Sequence, residues 1–205
     1  MTRRHVGASV TPLYQPLGEF DMKAGLSILA FFALLATEAR ATGAVSVLGG
    51  GMAQACAQAA FAERSDLASM EQCDSALQME DLDAHDRAGT FVNRGVMQLR
   101  RDQYELARAD FDRAIAITPT IGEAWVNRGA AMVGEKRYED GLSDIDKAIA
   151  LGVKEPEKAW FNRALAHEGL DDEKDAYFDY QRALTLKPGW DLPEHELRRF
   201  TVSRQ

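Results

Sequence analysis

Three five-residue stretches, Phe91-Val92-Asn93-Arg94-Gly95, Trp125-Val126-Asn127-Arg128-Gly129 and Trp160-Phe161-Asn162-Arg163-Ala164, follow one another at steps of 34 and 35 residues. The same steps link Tyr104, Tyr138 and Glu173, then Ala107, Gly141 and Ala176, then Asp110, Asp144 and Asp179. They also link Phe111, Ile145 and Tyr180, and finally Ala114, Ala148 and Ala183. A period of this length is one supersecondary unit, which cannot bury its own apolar face and is stabilised by the neighbours stacked on it. The extra residue of the second step must fall between Ala148 and Trp160, in the turn 152–156.

The repeated residue types each have a packing reason. Apolar residues recur at threes and fours, as in Tyr104-Ala107-Phe111-Ala114, which places them on one helical face and makes that face core. Gly95 and Gly129 on the first helix of a unit face Ala107 and Gly141 on the second, which lets the two backbones approach closely. Phe91, Trp125 and Trp160 are large enough to fill the space between units. Pro119 and Pro188 stand where a second helix must end, because proline has no amide hydrogen and its ring obstructs continuation. In the middle repeat Val153 takes proline's place, so Gly152 and Pro156 are expected to stop that helix.

With this aromatic, small-residue and proline pattern, the array resembles the tetratricopeptide repeat, a helix-turn-helix unit. The resemblance covers about residues 88–188 as three repeats, 88–121, 122–156 and 157–188. Residues 50–87 read as a degenerate first hairpin and 189–205 as a capping helix, with Asp191 as its candidate cap and Leu197 and Phe200 meeting the last hairpin. What the resemblance implies is an all-α, right-handed α-solenoid of antiparallel hairpins whose first helices line a concave groove. The groove-facing positions then hold Val92, Asn93 and Val96, Val126, Asn127 and Ala130, and Phe161, Asn162 and Leu165. The asparagines could hydrogen-bond the backbone of a bound protein or peptide segment, or they could bond across to neighbouring helices and order the solenoid. Some family members hold a C-terminal carboxylate with five residues. Of those only Asn127 and Lys158 have counterparts here, whereas Val92, Val96 and Asn162 depart, which argues against that clamp. The alternative to a peptide-binding module is a structural solenoid that self-associates through its ends.

Arg94, Arg128 and Arg163 each precede an aspartate, Asp110, Asp144 and Asp179, by 16 residues. In a helical hairpin that spacing brings the side chains face to face, so an Arg–Asp ion pair is expected inside every repeat, with ligand reading by the arginines as the alternative.

The N-terminal region reads as a leader. Lys23 supplies a positive start, residues 26–36 (LSILAFFALLA) form an apolar run, and Ala39-Arg40-Ala41 offers small residues for a signal peptidase. The expectation is a signal peptide over 22–41, preceded at 1–21 by a disordered extension or a mis-called start. The product would be periplasmic or secreted, with an uncleaved inner-membrane anchor as the alternative. The run is too short to span a bilayer, which takes about 20 apolar residues. Removal of 1–41 leaves 20 basic and 29 acidic residues, a more acidic chain than the −8 of the whole. Export to an oxidising compartment makes a Cys56–Cys73 disulfide plausible, on two helices near 50–62 and 66–79 joined at Glu63-Arg64-Ser65, with two unpaired core cysteines as the alternative.

The function classes that composition and motif exclude are several. An acidic chain lacks the basic face that nucleic acid requires. No G-x-S-x-G, phosphate loop or dinucleotide fingerprint occurs, so no catalytic residue and no cofactor is expected. His5, His85, His167 and His195 are scattered and no C-x-x-C is present, which leaves no expected metal site. The acids Glu80, Asp81, Asp83, Asp171 and Asp172 lie where turns and solvated helix starts are expected.

Overall fold

The computed structural model describes residues 20–24, 41 and 43–204, with side chains from 41 to 200. Its helices are α1 (Gly51–Phe61), α2 (Leu67–Met79), α3 (Ala84–Leu99), α4 (Tyr104–Ile117), α5 (Gly122–Gly134), α6 (Tyr138–Leu151), α7 (Pro156–Gly169), α8 (Glu173–Leu186) and α9 (Asp191–Leu197). The first eight pair as the antiparallel hairpins α1–α2, α3–α4, α5–α6 and α7–α8. Each hairpin stacks on the next, and α9 covers α8. The fold is an all-α helical repeat solenoid. Strands β1 (Phe20–Ala24) and β2 (Phe200–Arg204) flank it as one antiparallel pair, Phe20 opposite Arg204 and Ala24 opposite Phe200.

Helix starts follow local chemistry. Asp66, Asp83 and Asp172 each accept the N–H of the residue three positions on, which caps α2, α3 and α8. The Asp83 cap sets the start of α3 at Ala84, four residues before the 88 expected from the repeat pattern. Helix α1 has no side-chain cap of its own at Gly50; the carboxylate of Glu80, just past α2, accepts the N–H groups of Met52 and Ala53 instead. Helix α6 stops at Gly152, whose φ of 86° is in the left-handed region, and α7 opens on Pro156, where the extra residue of the last repeat is taken up.

Close packing explains the small residues. A Cβ on Gly129 would lie 2.8 Å from the Gly141 carbonyl oxygen and 2.7 Å from Ile145, so α5 and α6 touch along their backbones. The cores run between successive hairpins. One joins Val92, Val96, Phe111 and Ala114 to Ala124 and Ala130; the next joins Val126, Val133 and Ile145 to Phe161, Leu165 and Tyr180. In the first hairpin Cys56 and Cys73 form a disulfide among Ala59, Ala60 and Met97.

Three sequence expectations change at the ends. The tail is not one helix over 189–205: α9 closes at Leu197, and the aromatic and β-branched residues Phe200, Thr201 and Val202 continue as β2. Asp191 is the first residue of α9 rather than its cap, a position held by Trp190. Strand β1 crosses the expected boundary between 21 and 22, whereas the apolar run 26–36 lies outside the described residues. Among the described residues no helix is long and apolar enough to cross a membrane.

Candidate binding groove

The face formed by α1, α3, α5 and α7 is where a groove was expected, but the nine candidate residues are buried, six of them (Val92, Val96, Ala130, Val126, Phe161 and Leu165) in the cores between hairpins. Val92, Asn93, Val96, Val126, Asn127, Ala130 and Asn162 have no exposed surface, Phe161 keeps 1% and Leu165 5%. The expectation of an open, ligand-ready groove is therefore corrected, and the physical reason at its α3 end is the chain itself. Residues 43–49, which precede α1, run extended against α3, with Ala44, Val45 and Val47 buried and Ser46 and Leu48 exposed. Val45 joins the core of Val92, Val96 and Ala130, while Ala44 joins that of Cys56, Cys73 and Met97.

The contacts between this strap and α3 are made largely through main chain. The Asn93 carboxamide oxygen accepts the Val45 N–H at 2.8 Å, and its amide donates to the Val45 carbonyl at 2.9 Å. Two turns earlier the Asp86 carboxylate accepts the N–H groups of Leu48 at 2.9 Å and Gly49 at 2.7 Å. Burial pushes the Asp86 carboxyl up, but those two amides and the adjacent His85 outweigh it and hold the group below its ordinary value. Between Asp86 and Asn93 stands Gly89, where an added Cβ would sit 3.0 Å from Val45 Cγ1 and 3.5 Å from Val47 Cγ2. Gly89 is thus the floor on which the two valines rest.

The other two asparagines are buried as well. Asn127 donates to the Glu123 carbonyl of its own helix at 2.8 Å, and Asn162 is fully buried on α7. Phe161 turns toward the end of the array, its ring 5.5 Å from that of Tyr180 and 5.1 Å from that of Trp190. Lys158 pairs with Glu155 at 2.7 Å and, with Arg100, Lys154, Glu63, Gly43 and Ala44, lines a pocket of about 150 Å³ at the start of the strap.

The arginines of the first helices α3, α5 and α7 form a ladder of pairs with aspartates of the second helices α4, α6 and α8. Arg94 holds Asp110 with a two-pronged fork at 2.7 and 2.7 Å, Arg128 holds Asp144 at 2.6 and 2.8 Å, and Arg163 holds Asp179 at 2.7 and 2.7 Å. The third nitrogen of each reaches back to the preceding hairpin, to Asp74, Asp112 and Asp146. Every guanidinium also lies over the aromatic ring three residues before it, 5.6 Å from Phe91, 4.8 Å from Trp125 and 4.2 Å from Trp160. These rings are half-buried and act as supports for the arginines, a role that packing between units alone does not describe. Burial pulls the Arg94 and Arg163 guanidinium values down and their carboxylates outweigh it, while for Arg128 the Asp144 bonds dominate, so all three stand above the ordinary value.

Two groups of acids and a histidine, Asp83, His85 and Asp86, and His167, Asp172 and Asp175, bring ligand atoms within 4.8 Å of one another. Asp83, Asp86 and Asp172 already receive main-chain N–H groups there.

A family profile described as Tetratricopeptide repeat matches residues 157–189, which span α7 and α8. The α7–α8 hairpin thus matches the tetratricopeptide repeat, and the array as a whole has the fold of such repeats. The tetratricopeptide domain of Arabidopsis OM64 is 23% identical, with 57% of this chain and 96% of that one covered and a TM-score of 0.54. The second such domain of human RPAP3, solved with the HSP70 peptide SGPTIEEVD, is 27% identical over 57% and 97% at a TM-score of 0.52. MamA from Desulfovibrio magneticus RS-1 matches at 21% identity over 68% and 75%, TM-score 0.54, a likeness of tetratricopeptide fold. Comparison with curated protein sequences gave no match.

Proposed function

We propose that this chain is an exported protein–protein interaction module whose concave face seats an extended segment of a partner protein. Tetratricopeptide domains are protein-interaction modules, and RPAP3 domains of this fold carry the HSP70 peptide and, in the first domain, the HSP90 peptide SRMEEVD. The observation that carries the reading is Asn93, which meets both the N–H and the carbonyl of Val45 and so recognises peptide backbone whatever the side chain. The family's non-enzymatic character agrees with a chain whose motifs are all packing motifs. Export rests on the sequence at 22–41 and on a disulfide suited to an oxidising compartment.

Affinity capture from an envelope extract, comparing the full chain with Asn93→Ala at equal helicity, tests the groove. Partner capture is expected to change with the substitution. Equal capture of the same protein by both would remove the groove from the reading. The mass of the protein recovered from its compartment tests export: it should begin near residue 42, and an intact 1–41 in the soluble fraction would end that part.

A further inference from the structure

The strap offers a template for what the groove accepts. Alternate residues face alternate ways, as in any extended chain: Val45 and Val47 point into the groove and Ser46 and Leu48 away, Leu48 with 84% of its surface exposed. The floor beneath the valines is Gly89, and Val47 packs as well on Ala53 and Ala57 of α1, Ala76 of α2 and Leu82 in the turn before α3, so both positions are close-fitted by neighbouring groups. Asn93 fixes the register by its two bonds at Val45. Asp86, with only 7% of its side chain exposed, requires two consecutive N–H groups and repels an acidic or carboxy-terminal group at that end. Side chain by side chain, the site reads small, β-branched, free, β-branched, free.

We propose that the groove takes an extended, uncharged partner segment with small β-branched residues at the two positions held by Val45 and Val47 and free amides at the two held by Leu48 and Gly49, and that residues 43–49 are a built-in copy that such a segment displaces. This rests on the reading of the groove as the partner's seat. The strap belongs to no helix or strand of the fold and joins α1 through Gly49-Gly50-Gly51. It makes four hydrogen bonds to α3, from the Val45 N–H and carbonyl and the Leu48 and Gly49 N–H groups. A tethered ligand acts at an effective concentration on the order of 1 mM, so a strap whose own intrinsic Kd is about 10 μM weakens an external segment on the order of a hundredfold.

The test uses a fluorescein-labelled peptide of sequence GAVSVLGG, copied from residues 43–50, added to the full chain and to Val45→Asp/Val47→Asp, whose strap cannot stay in an apolar groove. Fluorescence anisotropy is expected to show at least tenfold tighter binding to the double variant than to the native chain. A peptide carrying proline in place of Leu48 should lose at least tenfold. Leu48→Pro in the chain itself, which deletes one amide from Asp86 without placing charge in the core, supplies a second weakened strap should the double variant lose helicity. A helical variant that binds the peptide no better than the native chain, or binds the proline peptide equally, overturns the proposal. If the peptide test fails while partner capture still depends on Asn93, displacement is wrong and the module stands.

Discussion

The Asn93 side chain and the Val45 main chain are joined as one residue of a ladder would be, with an accepted N–H at 2.8 Å and a donated bond to the carbonyl at 2.9 Å, both buried. Removing the carboxamide leaves two main-chain groups without partners, each costing about 1–3 kcal/mol where water cannot reach. Asn93→Ala should therefore lower the stability from urea unfolding by about 2–6 kcal/mol. Amide exchange at Val45 should rise with it. Asn93→Asp keeps the acceptor and loses the donor, so it should still protect the Val45 amide in part; unchanged exchange in both variants would show that the strap is held elsewhere.

The two carboxylates on Arg128 are not equivalent. Asp144 is 9% exposed at its side chain and Asp112 57%. Arg128→Ala strands a buried charge and should cost about 3–5 kcal/mol, whereas Asp112→Ala should cost less than about 1 kcal/mol. Thermal melts of the two variants beside the native protein check the asymmetry, and equal losses would contradict it.

Helix-to-helix turns hold Asp102, Lys136 and Asp171 at φ values of 57°, 62° and 60°. An L side chain pays about 1–2 kcal/mol for that conformation and glycine almost nothing, though glycine loses more freedom on folding. Lys136→Gly should come out stabilising by up to about 1 kcal/mol, raising Tm by a few degrees. A fall in Tm would mean that Lys136 makes a contact worth more than its backbone strain.

Reduction should act locally. The Cys56–Cys73 bond closes a loop with a sequence separation of 17, which in the chain-entropy picture contributes about 3 kcal/mol. Dithiothreitol, or the double alanine variant, should lower the urea midpoint and raise amide exchange chiefly in α1 and α2, leaving α7 and α8 protected. Uniform loss across all four hairpins would show that the first hairpin nucleates the rest.

Acid should release the strap before it unfolds the solenoid. Because the Asp86 carboxyl is depressed in the folded chain, its contribution is present above the unfolded value near 3.9 and is lost as pH falls through the lower folded value. The charged groups facing it are His85 at 3.2 Å and Asp83, which takes the Asp86 N–H. Exchange at Leu48 and Gly49, corrected for its intrinsic rate, should hold steady from pH 7 to about 4 and climb below that, and Asp86→Asn should flatten the climb.

Much of this architecture was legible from residue spacing. The 34-residue step, the small residues at 95, 129 and 141 and the arginine–aspartate interval of 16 each follow from what a hairpin must bury, and local rules read such features well. The occupancy of the groove was not legible. A strap such as Gly43-Ala44-Val45-Ser46-Val47 has no helical period and no turn signature, and its partner asparagine lies 48 residues away. Its one sequence trace is the alternation of Val45 and Val47 beside Gly89, visible only once α3 is known to pass there. The reach of Arg94, Arg128 and Arg163 to the preceding hairpin was likewise missed, although Asp112 and Asp146 stand two positions after Asp110 and Asp144 and could have signalled it.

That rearward reach has no acceptor waiting on the last hairpin. In α8 the position two after Asp179 is Gln181, whose amide is spent on the Tyr177 hydroxyl at 2.9 Å, so a fifth hairpin arriving with the same arginine would meet no carboxylate to grasp. Trp190 and α9 close over the place where it would dock. The cover of Trp190 and α9 is what closes this end, and grafting an additional hairpin would mean lifting that cover first and then restoring the acid with Gln181→Asp.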